Sequence, residues 1–320
     1  MRLQKQLKKI FKLNNQSTNT VLMIRPVAFA KNDQTNISNH FQKSINLSPR
    51  VIQEKALQEF DIFVSKLTDV GVRVLVIEDT LTPHTPDSIF SNNWISFHNG
   101  GLVGVYPMEA SNRRKERRED VIDLVESKLG LEVKDVIDYT SAEDEGVFLE
   151  GTGSIVLDRV HKFAYCVRSS RSDENLFIEF CEDFDYDPVY FSANQSIEGK
   201  LKPIYHTNVM LSIASDFAVV CLDVIYDKKE KKNVLNHLKK SNKDIIVISE
   251  TQMNAFAGNV LELELEGKKN ILVMSDQAKQ SFTKEQLFKL EKYITIIDVN
   301  IETIETVSGG SARCMLTEVF

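Results

Sequence analysis

The stretch "SPRVIQEKALQEFDIFVSKLTDVG" (residues 48–71) carries apolar residues at helical spacing and stops on a glycine, the pattern of an amphipathic helix. Strand-like runs flank it, "TVLMIRPVAF" (20–29) before and "GVRVLVIE" (71–78) after. The same alternation continues along the chain. "WISFH" and "LVGVYP" precede the helical pattern "RREDVIDLVESKLG" (117–130), and "FAVVCLDVI" precedes "KKEKKNVLNHLKKSN" (228–242). "VLELEL" and "NILVMS" precede "TKEQLFKLEKY" (283–293), which opens on the helix-capping residue Thr283. The unit reads strand, strand, helix, strand over roughly 60 residues, and about five such units fill the chain. The units share a pattern rather than words. No Gly/Ser/Pro-rich linker interrupts them, so the expectation is an α/β protein with a basic N-terminal extension (1–18) and one domain (19–320).

Composition narrows the class. A chain of 320 residues with 42% hydrophobic content buries a large core, and a net charge of −7 argues against bulk nucleic-acid binding. No apolar run reaches the roughly 18 residues that span a bilayer. The four cysteines (Cys166, Cys181, Cys221, Cys314) lie far apart with no CxxC spacing, which disfavours a structural zinc site. Free thiols in a reducing cytoplasm are expected, with no metal and no cofactor. No Walker loop and no GxGxxG follows a strand, so nucleotide binding is not supported. The first residues, "MRLQKQLKKIFKLNNQSTN", allow a short basic amphipathic helix through Leu3, Leu7, Ile10 and Phe11. Their lysines break the apolar core that a signal peptide needs.

Four local features carry chemistry. "SGGSARCMLTEVF" sets Cys314 beside Arg313, just after the flexible pair Gly309–Gly310, a setting that suits a reactive thiolate. "PIYHTNVMLSI" places His206 at the edge of an apolar run, where it can exchange protons near neutral pH. "FLEGTGSIVLD" places Glu150 before an open Gly-Thr-Gly turn. "PDSIFSNNWISFH" reads as a buried strand interrupted by the two amides Asn92 and Asn93, with Asp87 at its start. A thiol, an imidazole and a carboxylate together compose a nucleophilic triad.

In their order, "PDSIFSNNW", "LEGTG", "YHTN" and "GGSARCM" resemble the guanidine-modifying superfamily, the penteins. Within it the chain is most similar to the citrulline-utilisation hydrolase branch, with arginine deiminases and dimethylarginine dimethylaminohydrolases as relatives. The resemblance runs from "MIRPVAF" to the last residues. It implies a five-bladed αβ-propeller of ββαβ repeats with pseudo-fivefold symmetry. It makes Cys314 the nucleophile, His206 the general acid/base and Glu150 its orienting carboxylate. It also implies Asp87, Asn92, Asn93 and Asn208 as substrate contacts, with Arg114 and Arg171 as anchors for a substrate carboxylate. Arg114 is the choice by position from the run Arg113, Arg114, Arg117 and Arg118.

Arginine-type relatives carry acids where this chain has Asn92, Asn93 and Asn208. A guanidinium only donates and is charged, whereas a ureido group is neutral and both donates and accepts, as an amide does. The amides therefore favour citrulline, cleaved to ornithine and carbamate, over arginine. A guanidino substrate of the deiminase or amidinotransferase type is the alternative. A docking propeller without catalysis would need no such triad. Oligomeric state is left open by the sequence, a homodimer among the options.

Overall fold

The computed structural model describes residues 15–320. The expected amphipathic segment at the N-terminus lies outside the described residues. Gln16 and Thr18, placed in the extension by the sequence reading, are packed. Gln16 Nε2 donates to the carbonyls of Leu157 and Ile213, and Thr18 Oγ1 to that of Val319.

Among the described residues five three-stranded sheets share one connectivity, which makes the fold a mixed α/β arrangement of small sheets. The first unit runs from β1 (Thr20–Arg25) through α1 (Pro49–Val70) to β2 (Arg73–Glu78), and β1 pairs with β2 in parallel. Helix α1 starts where Ser48 Oγ accepts from Val51 N, with Pro49 in the first turn, where its missing N–H costs nothing. It ends at Gly71, whose φ of 109° suits a residue without Cβ. Ala56, Phe60, Phe63 and Leu67 form its buried face, the larger of these side chains each contributing about 1.5–3 kcal/mol.

The second unit is β3 (Ile95–His98), β4 (Leu102–Val105), α2 (Asp120–Leu129) and β5 (Asp135–Asp138). Strands β3 and β4 are antiparallel, with Ile95 opposite Val105, while β4 and β5 are parallel. The third is β6 (Ile155–Asp158), β7 (Phe163–Val167), α3 (Glu174–Asp183) and β8 (Asp187–Phe191). Helix α3 was not foreseen. Its Phe177 and Phe180 belong to one buried cluster with Ile155, Ala164 and Cys166. A hairpin, β9 (Asn194–Ile197) and β10 (Lys200–Pro203), leads to the fourth unit: β11 (Leu211–Ile213), β12 (Phe217–Val220), α4 (Lys228–Lys240) and β13 (Asp244–Val247). The fifth is β14 (Leu261–Leu263), β15 (Ile271–Ser275), α5 (Lys284–Tyr293) and β16 (Thr295–Val299). Helix α5 opens with a capping box between Thr283 and Gln286. Finally β17 (Thr317–Glu318) pairs antiparallel with β1, completing the first sheet from the far end of the chain.

One strand expectation fails. Residues Ser88–Trp94 do not extend: Ser91–Asn93 is a single 3-10 turn and the strand starts at Ile95. The turn lets the two amides find partners that a ladder would deny them, Asn92 with Thr152 and Asn93 with Arg113.

Candidate active site

The first strand of each sheet is preceded by a short turn; Cys314 lies in one of these turns and Glu150 and His206 stand just before two others, while Asp87, Arg113 and Arg171 come from separate loops. Ser91–Asn93 precedes β3, Gly151–Ser154 precedes β6, Thr207–Val209 precedes β11, and Ala312–Met315 precedes β17. Gly258–Asn259 stands at the corresponding point before β14. Cys314, His206, Asp87, Asn93, Arg113 and Arg171 line one buried cavity of about 20 Å³. That is room for about one water molecule at its narrow end. Thr35 and Asn39, from the irregular segment between β1 and α1, also line it.

His206 Nε2 lies 2.8 Å from Glu150 Oε2. Burial alone would push the fully buried Glu150 carboxyl up, but Arg171, His206 and Arg113 hold it well below the usual carboxylate range. An ionised Glu150 can only accept, so the proton sits on Nε2 and neutral His206 keeps its lone pair on Nδ1. Burial lowers the His206 pKa to about 4, outweighing the opposing pull of Glu150. The resting imidazole is thus a neutral base. Burial also raises the Cys314 thiol, which rests protonated.

Gly153 makes this geometry possible. A Cβ there would lie 2.4 Å from Asn93 Nδ2 and 2.8 Å from both Nδ1 and Cε1 of His206. The open turn read from Gly-Thr-Gly is therefore a clearance for the imidazole.

Asp87 Oδ2 accepts from Asn32 Nδ2 at 2.7 Å and Thr35 Oγ1 at 3.1 Å, while Oδ1 has no protein partner among the described residues. Burial raises its pKa against the pull of Arg113. Asn93 Oδ1 accepts from Arg113 Nη1 at 2.8 Å, and its Nδ2 donates to Asn92 Oδ1 at 3.2 Å. Because guanidinium N–H groups can only donate, the Asn93 amide has a fixed orientation. Asn208 Nδ2 reaches the Thr152 carbonyl at 3.3 Å and Cys314 Sγ at 3.7 Å.

Three expected substrate contacts, Asn92, Asn208 and Arg114, lie outside the cavity lining, Asn208 reaching the Cys314 sulfur that lines it. Asn92 donates to Thr152 Oγ1 at 3.3 Å and does not line the cavity; it straps one turn to the next. Arg114 turns away, donating to the Met108 carbonyl at 3.0 Å and lying over the Phe148 ring. Its neighbour Arg113 faces the cavity instead, because the residues form a tight 3-10 turn in which adjacent side chains diverge. Arg113 donates to Glu116, Asn93 and the Phe90 carbonyl, leaving one Nη1 hydrogen without a hydrogen-bond acceptor among the described residues. Arg171 lines the cavity and donates to Ser38 Oγ, the Thr35 carbonyl and Glu150, leaving one Nη1 hydrogen without a protein acceptor. Thr35 and Asn39 carried no signal in the sequence, and Asn32, at a position that resembles the family's, was given no role because contact and packing read alike in a single chain.

Asn259 was also unassigned. Its sequence signal was present: "FAGNVLEL" repeats the turn-then-strand form of "HTNVMLSI". Among the described residues no group of three or more His, Cys, Asp or Glu side chains is placed to hold a metal ion. No helix among them is long and apolar enough to cross a membrane.

Residues 25–320 match the family model described as N,N dimethylarginine dimethylhydrolase, eukaryotic. The fold is similar to the N-terminal domain of ArgZ, an arginine dihydrolase from the ornithine-ammonia cycle in cyanobacteria. That substrate-bound structure has a TM-score of 0.69 and 15% identity, covering 94% of this chain and 97% of that one. Unliganded AgrE superposes with a TM-score of 0.70 at 16% identity, over 94% of this chain and 39% of that one. DDAH from Pseudomonas aeruginosa, a mutant complexed with citrulline, has a TM-score of 0.60 at 14% identity, over 94% and 99%. No curated protein matches the sequence.

Proposed function

The chain belongs to the N,N dimethylarginine dimethylhydrolase family, and from that premise we propose that it hydrolyses a ureido amino acid, citrulline above all, to ornithine and carbamate. Membership makes it an enzyme acting on C–N bonds of guanidino or amidino compounds; the ureido preference is the proposal. The observation that carries it is the Asn93 orientation. With Oδ1 held by Arg113 at 2.8 Å and one Nδ2 hydrogen given to Asn92, the amide keeps one N–H for the cavity, a donor suited to a carbonyl oxygen. Asp87 Oδ1, free of protein partners, would accept a ureido N–H.

In this reading Cys314 Sγ attacks the ureido carbon as its proton passes to His206 Nδ1. The C–N bond to the δ-nitrogen breaks as that nitrogen takes the proton, and ornithine leaves. Water, deprotonated by the same Nδ1, attacks the carbamoyl-thioester carbon. The thiol re-forms and carbamate departs, decaying to ammonia and carbon dioxide. Glu150 holds Nε2 throughout and stabilises the transient imidazolium. Asn208 borders the thiol, and Arg171 anchors the α-carboxylate through its spare Nη1 hydrogen. We further read the five sheets as blades of one propeller around this cavity, in a single cytoplasmic domain whose partner is a small amino acid. No cofactor enters the scheme.

Asp87 also favours a second reading. A buried carboxylate with one oxygen unpaired suits a guanidinium, so a deiminase or amidinotransferase reaction on arginine competes. Assays of ornithine and ammonia release from citrulline, against citrulline release from arginine, separate the two, with Cys314→Ser as the inactive control. Preferential turnover of arginine to citrulline would overturn the ureido assignment.

A further inference from the structure

We propose that Asn259 stabilises the ionised form of Cys314, its side-chain amide being a built-in donor aimed at the sulfur. This rests on reading Cys314 as the nucleophile but on no choice of substrate. Asn259 is fully buried. Its Oδ1 accepts from the backbone N–H of Arg313 at 3.1 Å, which fixes the amide orientation as firmly as Arg113 fixes that of Asn93. The NH2 end therefore faces the other way. One hydrogen goes to the Asn208 carbonyl at 3.0 Å, and the other to Cys314 Sγ at 3.2 Å. Every donor and acceptor of the amide is used, and one of them is spent on the sulfur.

Among the described residues, Asn259 and Asn208 are the side chains that donate to Sγ, Asn208 at the longer 3.7 Å. The cavity around the sulfur also holds Arg113, Arg171 and Asp87, and none of these donates to Sγ. The Arg313 guanidinium donates to the Leu316 carbonyl and to Glu318, and His206 Nε2 is held by Glu150. A neutral ureide would bring no positive charge of its own to the thiol. The negative charge that develops when the thiol proton passes to His206 thus falls on a preorganised dipole, which needs no rearrangement and acts through a water-poor interior. The direction agrees with the local balance on the thiol: burial raises it, while the Ser311 backbone, Asn259, Arg313 and Asn208 draw it back.

The test reads the sulfur without substrate. The rate of iodoacetamide alkylation at Cys314, resolved by peptide mass spectrometry in the ligand-free enzyme, is followed against pH for wild type, Asn259→Ala and Asn259→Asp. The apparent thiol pKa is expected to rise by about one to two units in Asn259→Ala, the shift equivalent to one hydrogen bond to a charged group. Asn259→Asp keeps the acceptor for Arg313 N–H and exchanges the sulfur donor for an acid, so it should rise at least as far. If the alanine variant does not fold, the aspartate variant decides. In the wild-type enzyme, an Asn259 amide proton should also move downfield as the thiolate forms. Wild-type alkylation profiles in the folded variants, or an amide resonance indifferent to thiol ionisation, would overturn the proposal. Failure of the citrulline assay would leave this readout untouched, so the two ideas fail separately.

Discussion

Arg113 holds the oxygen of Asn93 at 2.8 Å, and so chooses which face of the amide the cavity meets. Replacing the amide by an acid removes that choice. In Asn93→Asp one carboxylate oxygen would still meet Arg113, while the other would present an acceptor to the substrate. Citrulline kcat/KM should fall at least about tenfold, the cost of opposing acceptors in a buried site, and the citrulline-to-arginine ratio should fall further. Steady-state kinetics on both substrates check it.

Glu150→Gln removes the charge that keeps the proton on His206 Nε2, with little change in volume. By analogy with other nucleophile–histidine–acid systems, kcat should drop by about 10³- to 10⁴-fold. Arg171 would lose its nearest buried anion as well, so the melting temperature should also fall. A kcat loss with unchanged KM, together with lower thermal stability, is the expected pair of results.

Acid should affect catalysis and stability through His206. Its folded-state pKa is depressed to about 4, against about 6.5 unfolded. The base is therefore competent well below pH 6, and the acid limb of kcat/KM attributable to it should lie nearer 4 than 6.5. The unfolded chain binds this proton first as pH drops. The stabilising contribution is complete above the unfolded pKa and is lost as pH falls from about 6.5 through 4. Melting temperatures measured across that window, compared between wild type and His206→Asn, isolate the contribution.

Gly153→Ala drives a methyl group into the space between Asn93 Nδ2 and the His206 ring. Overpacking of this kind costs about 1–3 kcal/mol, and the imidazole would be displaced from the cavity. Turnover should fall by about a hundredfold or more, with the protein still folded by circular dichroism.

Much of the scaffold could be read from the chain because helices announce themselves by period and caps. Ser48, Gly71 and Thr283 all serve at helix ends. Helix α3 escaped notice although Leu176, Phe177, Phe180 and Cys181 have helical spacing, because "NLFIEF" also reads as a short apolar strand. Cys314, His206 and Glu150 stood out by residue type and local glycine context. Facing directions did not. Whether Arg113 or Arg114 looks inward depends on one tight turn, and Asn92 and Asn93 part ways for the same reason. Adjacent letters carry no such information. Asn259 lacked a charged or nucleophilic signature, and its role becomes visible only when Arg313 N–H and Cys314 Sγ appear at opposite ends of its amide.

The turns that lead into β3, β6, β11, β14 and β17 divide labour with the strands behind them. Ladder pairing and apolar burial hold the frame, while the turns carry buried polar side chains, of which Asn93 and Cys314 line the cavity and Asn208 and Asn259 reach the Cys314 sulfur. A single exchange at a turn can therefore alter what is bound or broken without renegotiating the architecture. Such a scaffold is easily retuned: new chemistry can be tried one turn at a time, and a failed trial leaves the small sheets standing for the next.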